Sequence, residues 1–192
     1  ISYQKPDVIY AAIEEDRTKG GVYKSTDRGE SWKKMSNTVS GGTGPHYYQE
    51  LYTSPHEFDR LYLMNVHILT SKDGGKNFEQ LTNERNFYYY FDKKHSDHHA
   101  MAFKPSDPDY LMVGTDAGIY ESFDDAKNWH YFLNLPLTQF YKVAVNNKEP
   151  FYHIFGGTQD NGSAGGPSAT DEEYGITNRV WYKTLMADGH QS

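Results

Sequence analysis

The sequence predicts an all-β chain: an incomplete β-propeller segment of about four blades, each made of four antiparallel strands. Three observations predict it. An eight-residue pattern occurs three times, as Ser25-Thr26-Asp27-Arg28-Gly29-Glu30-Ser31-Trp32, Ser71-Lys72-Asp73-Gly74-Gly75-Lys76-Asn77-Phe78 and Ser122-Phe123-Asp124-Asp125-Ala126-Lys127-Asn128-Trp129. The steps from Asp27 to Asp73 and from Asp73 to Asp124 are 46 and 51 residues, near the ~40 to 50 residues of a four-stranded blade. The 17 Tyr, 10 Phe, 3 Trp and 17 Gly suit short aromatic strands joined by tight turns.

The first blade is assigned to residues 1–36, the second to 45–82 and the third to 97–133. In each, a short apolar stretch (Val22-Tyr23, Ile68-Leu69, Ile119-Tyr120) leads into the repeated pattern and another strand follows, so the pattern is a hairpin turn. The chemistry of a turn explains its residues: Asp accepts hydrogen bonds from turn amides, Gly tolerates positive φ, and the aromatic covers the apolar side of the hairpin. Ser25, Asp27, Gly29, Trp32, Ser71, Asp73, Gly75, Phe78, Ser122, Asp124 and Trp129 are therefore structural residues, with the three aromatics expected to be packed beneath the turns.

Outward from the turns, residues 48–55, 98–105 and 140–147 align as innermost strands, and 8–12, 61–64, 110–113 and 151–155 as the strands that follow. The fourth blade, residues 138–184, has no Ser-x-Asp turn; its Gly156 to Gly166 reads as a turn, the polar stretch to Gly175 as a loop, and Trp181-Tyr182 as an outer strand. Asp188-Gly189-His190 lines up with Asp97-His98-His99, which places the start of a fifth blade at 188–192. Open strand edges invite pairing, so the expectation is a piece of a larger closed ring, its remaining blades supplied by the same or another chain. Ile1 is preceded by neither Met nor a signal segment, which reads as a removed leader or an internal piece.

Nineteen Lys and Arg against 26 Asp and Glu give a net charge of −7. Phosphate neutralisation needs clustered cations, so nucleic acid is excluded as a main partner. No apolar run approaches the ~18 residues of a membrane span. With no Cys, disulfides, thiolate metal sites and cysteine nucleophiles are excluded together.

Strand parity sorts the loops. With the Ser-x-Asp turns at one end of each blade, the lead-ins to the inner strands gather at the other, the upper end, together with the turns after the second strands. That end carries the carboxylates Asp97, Asp116 and Asp160, candidates for the acid and base of glycoside hydrolysis, which stand ~5 to 9.5 Å apart across the scissile bond. An Asp beside Gly in a turn is also an ordinary backbone cap. Ligand-binding candidates at the same end are His46, Tyr48, His98, His99, Gln159, Asn161, Asp188 and His190. The aromatic run Phe87 to Phe91 reads as a stacking platform or as loop packing. His95, Asp97 and His99 share one side of an extended strand and are competent metal ligands. The repeat of Asp-x-His at Asp188 and His190 fits a blade-anchoring hydrogen bond instead, and no metal or cofactor is expected. The five arginines do not occupy equivalent upper-end positions, which argues against a sialidase site.

The three turns resemble the Asp-box, or bacterial neuraminidase repeat (BNR), found in sialidases, sortilin-type receptors and several glycoside hydrolases. Asp97-His98-His99-Ala100, Gly114 to Ser122, Leu135 to Tyr141 and Gly156 to Gly162 look like those of exported bacterial Asp-box propellers, the sortilin-like or glycosyl-hydrolase repeat proteins. Ala126 in place of the box Gly and the boxless fourth blade depart from the pattern. The resemblance implies a secreted, periplasmic or cell-surface protein of a bacterium. It implies either a glycan-binding propeller with glycoside hydrolase activity, or a non-enzymatic sortilin-like propeller that binds peptide or protein.

Overall fold

The computed structural model describes residues 1–16, 18–39, 50–81, 97–135, 137–159 and 161–190. They fall into two compact units, Ile1–Leu133 and Asn134–Ser192. The first unit holds three sheets. Strands β1 (Ile9–Glu14), β2 (Gly20–Ser25) and β3 (Lys33–Ser36) make sheet one. Strands β4 (Leu51–Thr53), β5 (Leu61–Leu63), β6 (Leu69–Ser71) and β7 (Glu79–Gln80) make sheet two, and β8 (His98–Lys104), β9 (Asp107–Thr115), β10 (Gly118–Ser122) and β11 (His130–Tyr131) make sheet three. The second unit holds sheet four, formed by β12 (Phe140–Val145), β13 (His153–Thr158), β14 (Gly162–Pro167) and β15 (Tyr182–Leu185). Each sheet is an antiparallel meander in chain order.

The Ser-x-Asp turns are built as their residue types require. Ser25, Ser71 and Ser122 donate through Oγ to Asp27, Asp73 and Asp124 at 2.7, 2.8 and 2.9 Å, and accept from the backbone N–H of Gly29, Gly75 and Ala126 at 2.8, 2.9 and 2.9 Å. The same aspartates accept the backbone N–H of Ser31, Asn77 and Asn128 at 2.9, 3.0 and 2.9 Å. One residue of every turn then donates its N–H to the start of the strand that pairs with the one leading into the turn, or to the residues just before it: Arg28 to Asp7 ahead of β1, Gly74 to Asp59 ahead of β5 and Asp125 to Asp109 in β9. All three turns thus sit at the same end of their sheets. Ala126 fills the Gly position at φ 66°, a left-handed conformation that costs a residue with a Cβ, and remains buried there.

These bonds stabilise the ionised aspartates. The Ser31 hydroxyl and N–H hold Asp27 at about 2, the Asn77 N–H and carboxamide hold Asp73 at about 2, and the Asn128 carboxamide lowers Asp124. A carboxylate lowered from its unfolded ~3.9 contributes stability above that value and loses it as pH falls through the folded value. The urea midpoint should therefore drop between about pH 4 and about pH 2. Asp73→Asn should flatten that drop; an equally steep one would place the acid sensitivity elsewhere.

The cores lie between sheets. Val8, Tyr10 and Val22 of sheet one pack with Leu61, and Leu51, Phe58 and Phe78 of sheet two join them. Tyr62, Met64 and Ile68 of sheet two pack with Met101, Val113 and Tyr120 of sheet three, joined by Phe103, Trp129 and Tyr131. The Ser-x-Asp aromatics of sheets two and three, Phe78 and Trp129, therefore pack toward the sheet before their own. Trp32 corrects the sequence expectation: it is 45% exposed, and its indole N–H donates to the Gly29 carbonyl at 3.0 Å. Its sheet is the first, so the described residues offer it no preceding sheet.

Cross-sheet ion pairs reinforce both seams. Lys24 of sheet one meets Asp59 of sheet two at 2.6 Å, and Arg60 of sheet two meets Asp125 of sheet three at 2.6 Å with its guanidinium 5.2 Å from the Tyr62 ring.

Sheet four corrects a second expectation. Residues 162–167, read as part of a Gly-rich turn, are strand β14, paired with β13 and β15. A Cβ on Gly165 would stand 2.8 Å from Phe155, and one on Gly166 would stand 2.6 Å from Trp181. The glycines are cavities for rings across the sheet, a known use of Gly inside strands.

Candidate functional site at the upper ends of the inner strands

Opposite the Ser-x-Asp turns, the start of β8 reaches across to sheet two. His98 is 1% exposed; its backbone N–H donates to the Asn65 carbonyl at 3.1 Å, and its ring Nδ1 lies 3.1 Å from Asn65 O and 3.0 Å from Val66 O. Both neighbours are acceptors, so Nδ1 carries the proton. His98 is a latch between sheets. Asp97 belongs to the same latch through its backbone: at φ 62° it donates its N–H to Val66 O and accepts the N–H of Asp116.

His99 points elsewhere. The register of β8 on β9 runs His98 to Thr115 and then Ala100 to Gly114, so His99 is the extra residue of a β-bulge. Its Nε2 lies 2.7 Å from Asp116 Oδ1, with the Asp116 side chain only 9% exposed and that of His99 about one third exposed.

Sheet four repeats the device. Phe140 pairs with Thr158 as His98 pairs with Thr115, and the register again skips, from Phe140 to Lys142, at Tyr141. Tyr141 donates its hydroxyl to Gln159 Oε1 at 2.7 Å, so Tyr141 and Gln159 occupy the places of His99 and Asp116. The His190 ring stacks on Tyr141 with centroids 4.7 Å apart and planes at 20°. Gly189 donates to Thr158 O at 2.9 Å, the counterpart of the backbone bond from His98 to Asn65. Asn161 folds back on Gln159, its carboxamide donating to the Gln159 carbonyl at 3.0 Å. Asp188, just before the latch, is exposed.

Of the sequence candidates, the structure joins His99 with Asp116 and Gln159 with Asn161, and stacks His190 on Tyr141, the donor to Gln159. It turns His98 and the backbone of Asp97 inward to hold sheets together. His46, Tyr48 and Asp160, with Phe87 to Phe91 and His95, lie outside the described residues. Tyr141 was missed. Its signal lay in the repeat alignment, which sets residue 141 against His99.

Two further features bear on chemistry. Tyr10 donates its hydroxyl to Asp59, a tyrosine-carboxylate pair, but burial pushes that phenol far up, and the pair sits at the Ser-x-Asp end, where Asp59 also holds Lys24. It is a contact across the seam between sheets one and two. Arg28 and Arg60 are held at that same end by Asp7 and Asp125. Among the described residues no group of three or more His, Asp or Glu converges as a metal site, and no helix is long and apolar enough to cross a membrane.

Comparison with known proteins fixes the architecture. No protein-family model matches the chain, and no curated protein matches it. Among solved structures, a GH74 enzyme from Niastella koreensis superposes with a TM-score of 0.54 at 14% identity, covering 96% of this chain and 29% of that one. A GH74 xyloglucanase from Xanthomonas campestris superposes with a TM-score of 0.50 at 15% identity, covering 87% and 28%. The four sheets are blades of an incomplete β-propeller. The chain spans less than a third of the length of either GH74 structure. YCF48 from Cyanidioschyzon merolae aligns over 96% of this chain and 69% of its own at a TM-score of 0.44 and 12% identity, too remote to bear on function.

Proposed function

We propose that the chain is part of an exported bacterial Asp-box propeller that binds glycan at the upper ends of its inner strands and acts there as a glycoside hydrolase. The observation that carries the reading is the paired bulge. In two blades the second residue of the inner strand is looped out of register so that a ring, His99 or Tyr141, meets a polar side chain, Asp116 or Gln159. Bulges of this kind re-aim side chains and concentrate beside active sites. A ring beside a carboxylate in sheet three, and separately a ring beside amides in sheet four, each match a sugar ring with its apolar face and hydroxyl rim. The propeller fold shared with GH74 enzymes supports the reading at the level of architecture, and the Ser-x-Asp turn geometry supports the Asp-box family.

In the hydrolytic step Asp116, hydrogen-bonded to His99, is one of the two carboxylates, and Asp97 supplies the other. Titrating the chain with xyloglucan oligosaccharides and a panel of plant and bacterial glycans, followed by calorimetry and reducing-end release, tests this. Tyr141→Ala should weaken binding by about tenfold or more, as loss of a stacking contact does. Asp116→Asn should abolish turnover while binding persists. Binding with no turnover in the parent chain would leave a lectin-like propeller; a peptide ligand and no glycan would favour the sortilin-like alternative.

A further inference from the structure

The latch on sheet four differs from that on sheet two in its central residue. Sheet two receives the imidazole of His98, whereas sheet four receives Gly189, which donates its N–H to Thr158 O at 2.9 Å. Without a side chain the backbone comes down onto the sheet. A Cβ on Gly157 would stand 1.5 Å from the Gly189 carbonyl oxygen, and one on Gly189 would stand 2.7 Å from Gly157 Cα and 2.8 Å from Gly162 O. The atoms in the way are main chain, so both positions need glycine for this close approach. Gly189 is buried, and the path of the residue after it is set by backbone contacts.

That residue is His190. Its ring lies nearly flat on Tyr141, with centroids 4.7 Å apart and planes at 20°. Tyr141 is thereby held in three ways: the bulge offsets its backbone, Gln159 Oε1 takes its hydroxyl at 2.7 Å, and His190 covers one face of its ring. A phenol has two faces, so a ligand that stacks on Tyr141 is confined to the opposite one. A ring already held in place also loses less freedom when a ligand arrives, which lowers the entropic cost of binding.

We propose that His190 is a positioning residue for Tyr141: seated by the contact of Gly189 with Gly157, its imidazole fixes the phenol before a ligand arrives and confines sugar stacking to the opposite face. The imidazole acts through its flat face and not through its nitrogens. The ligand half of this role rests on the glycan reading; the fixing of the ring does not. Loss of one aromatic pair is expected to weaken glycan binding by about two- to tenfold, less than loss of Tyr141 itself, because the stacking ring remains and only its order is lost.

The test reads Tyr141 and binding separately, by nuclear magnetic resonance of the whole chain with isotope-labelled tyrosine rings and by calorimetry with a xyloglucan oligosaccharide. The Tyr141 ring signals are assigned through Tyr141→Phe. His190→Ala should move them, since the ring current of the covering imidazole is gone, and should weaken binding by the factor given. His190→Phe keeps a flat ring and should restore both; His190→Asn keeps a polar group without the ring and should restore neither. Gly189→Ala changes neither ring and should reproduce His190→Ala by lifting the segment from the sheet. Unmoved Tyr141 signals in His190→Ala would overturn the proposal. So would a His190→Phe variant that binds as weakly as His190→Ala, which would make His190 a hydrogen-bonding contact to the ligand. A parent that binds no oligosaccharide overturns the glycan reading alone, and the Tyr141 signals of the variants then decide the fixing of the ring. His190 is exposed, so its variants keep the fold and carry the test should Gly189→Ala lose it, which far-UV circular dichroism checks.

Discussion

Tyr62→Ala is expected to lower the unfolding free energy by about 3 to 5 kcal/mol, the range for truncating an enclosed aromatic, whereas Trp32→Ala should cost less than about 1 kcal/mol. Tyr62 is 2% exposed at the centre of the seam between sheets two and three. It touches Phe103 at a centroid distance of 5.5 Å and lies under the Arg60 guanidinium. Its removal leaves a cavity that strands on both sides can only partly fill. Trp32 has the larger side chain but loses mainly one hydrogen bond and partial coverage. Urea unfolding gives both numbers, and a Trp32 cost equal to that of Tyr62 would mean that the indole is enclosed.

His98→Ala should be the next most damaging change, about 2 to 4 kcal/mol, because it combines a core truncation with loss of the ring N–H that serves the Asn65 and Val66 carbonyls. The backbone N–H bonds from His98 to Asn65 and from Asp97 to Val66 survive, which sets the upper limit. His98→Asn offers a side-chain donor of shorter reach and should recover part of the loss. Equal midpoints for His98→Ala and the parent would remove the latch as a source of stability.

What the sequence made legible was what is local. The Ser-x-Asp turns close within eight residues, and their hydrogen bonds run between side chains and backbone no more than four residues apart, so spacing alone specifies them. The fate of the turn aromatics was not local. Phe78 and Trp129 are covered and Trp32 is not, and the difference lies in which sheet comes before, not in the octapeptide. The strand Gly162–Pro167 was hidden for the same reason: its glycines answer to Phe155 and Trp181, rings brought over by tertiary pairing, and composition reads such a stretch as a turn. At the candidate site the partners Asp116 and Gln159 could be picked out as turn residues. The bulges that turn His99 and Tyr141 toward them leave no trace in residue type, and Tyr141 emerges only from the alignment of inner strands.

The latch at His98 places the natural module of this chain out of step with its repeat. Sheet two is completed at its upper end by backbone and imidazole donors that belong to the next sheet, and Thr158 of sheet four takes the Gly189 amide in the same way. A gene duplication cut at the turns between the first two strands of a sheet, residues 54–60 and 105–106, would copy a second strand together with the following inner strand, and so would carry both halves of the latch. A cut at the lead-ins to the inner strands would separate them. Exchange of blades between related chains is thus expected to tolerate crossovers inside a sheet, between its first and second strands, better than crossovers between sheets, the reverse of what visual division into blades would recommend.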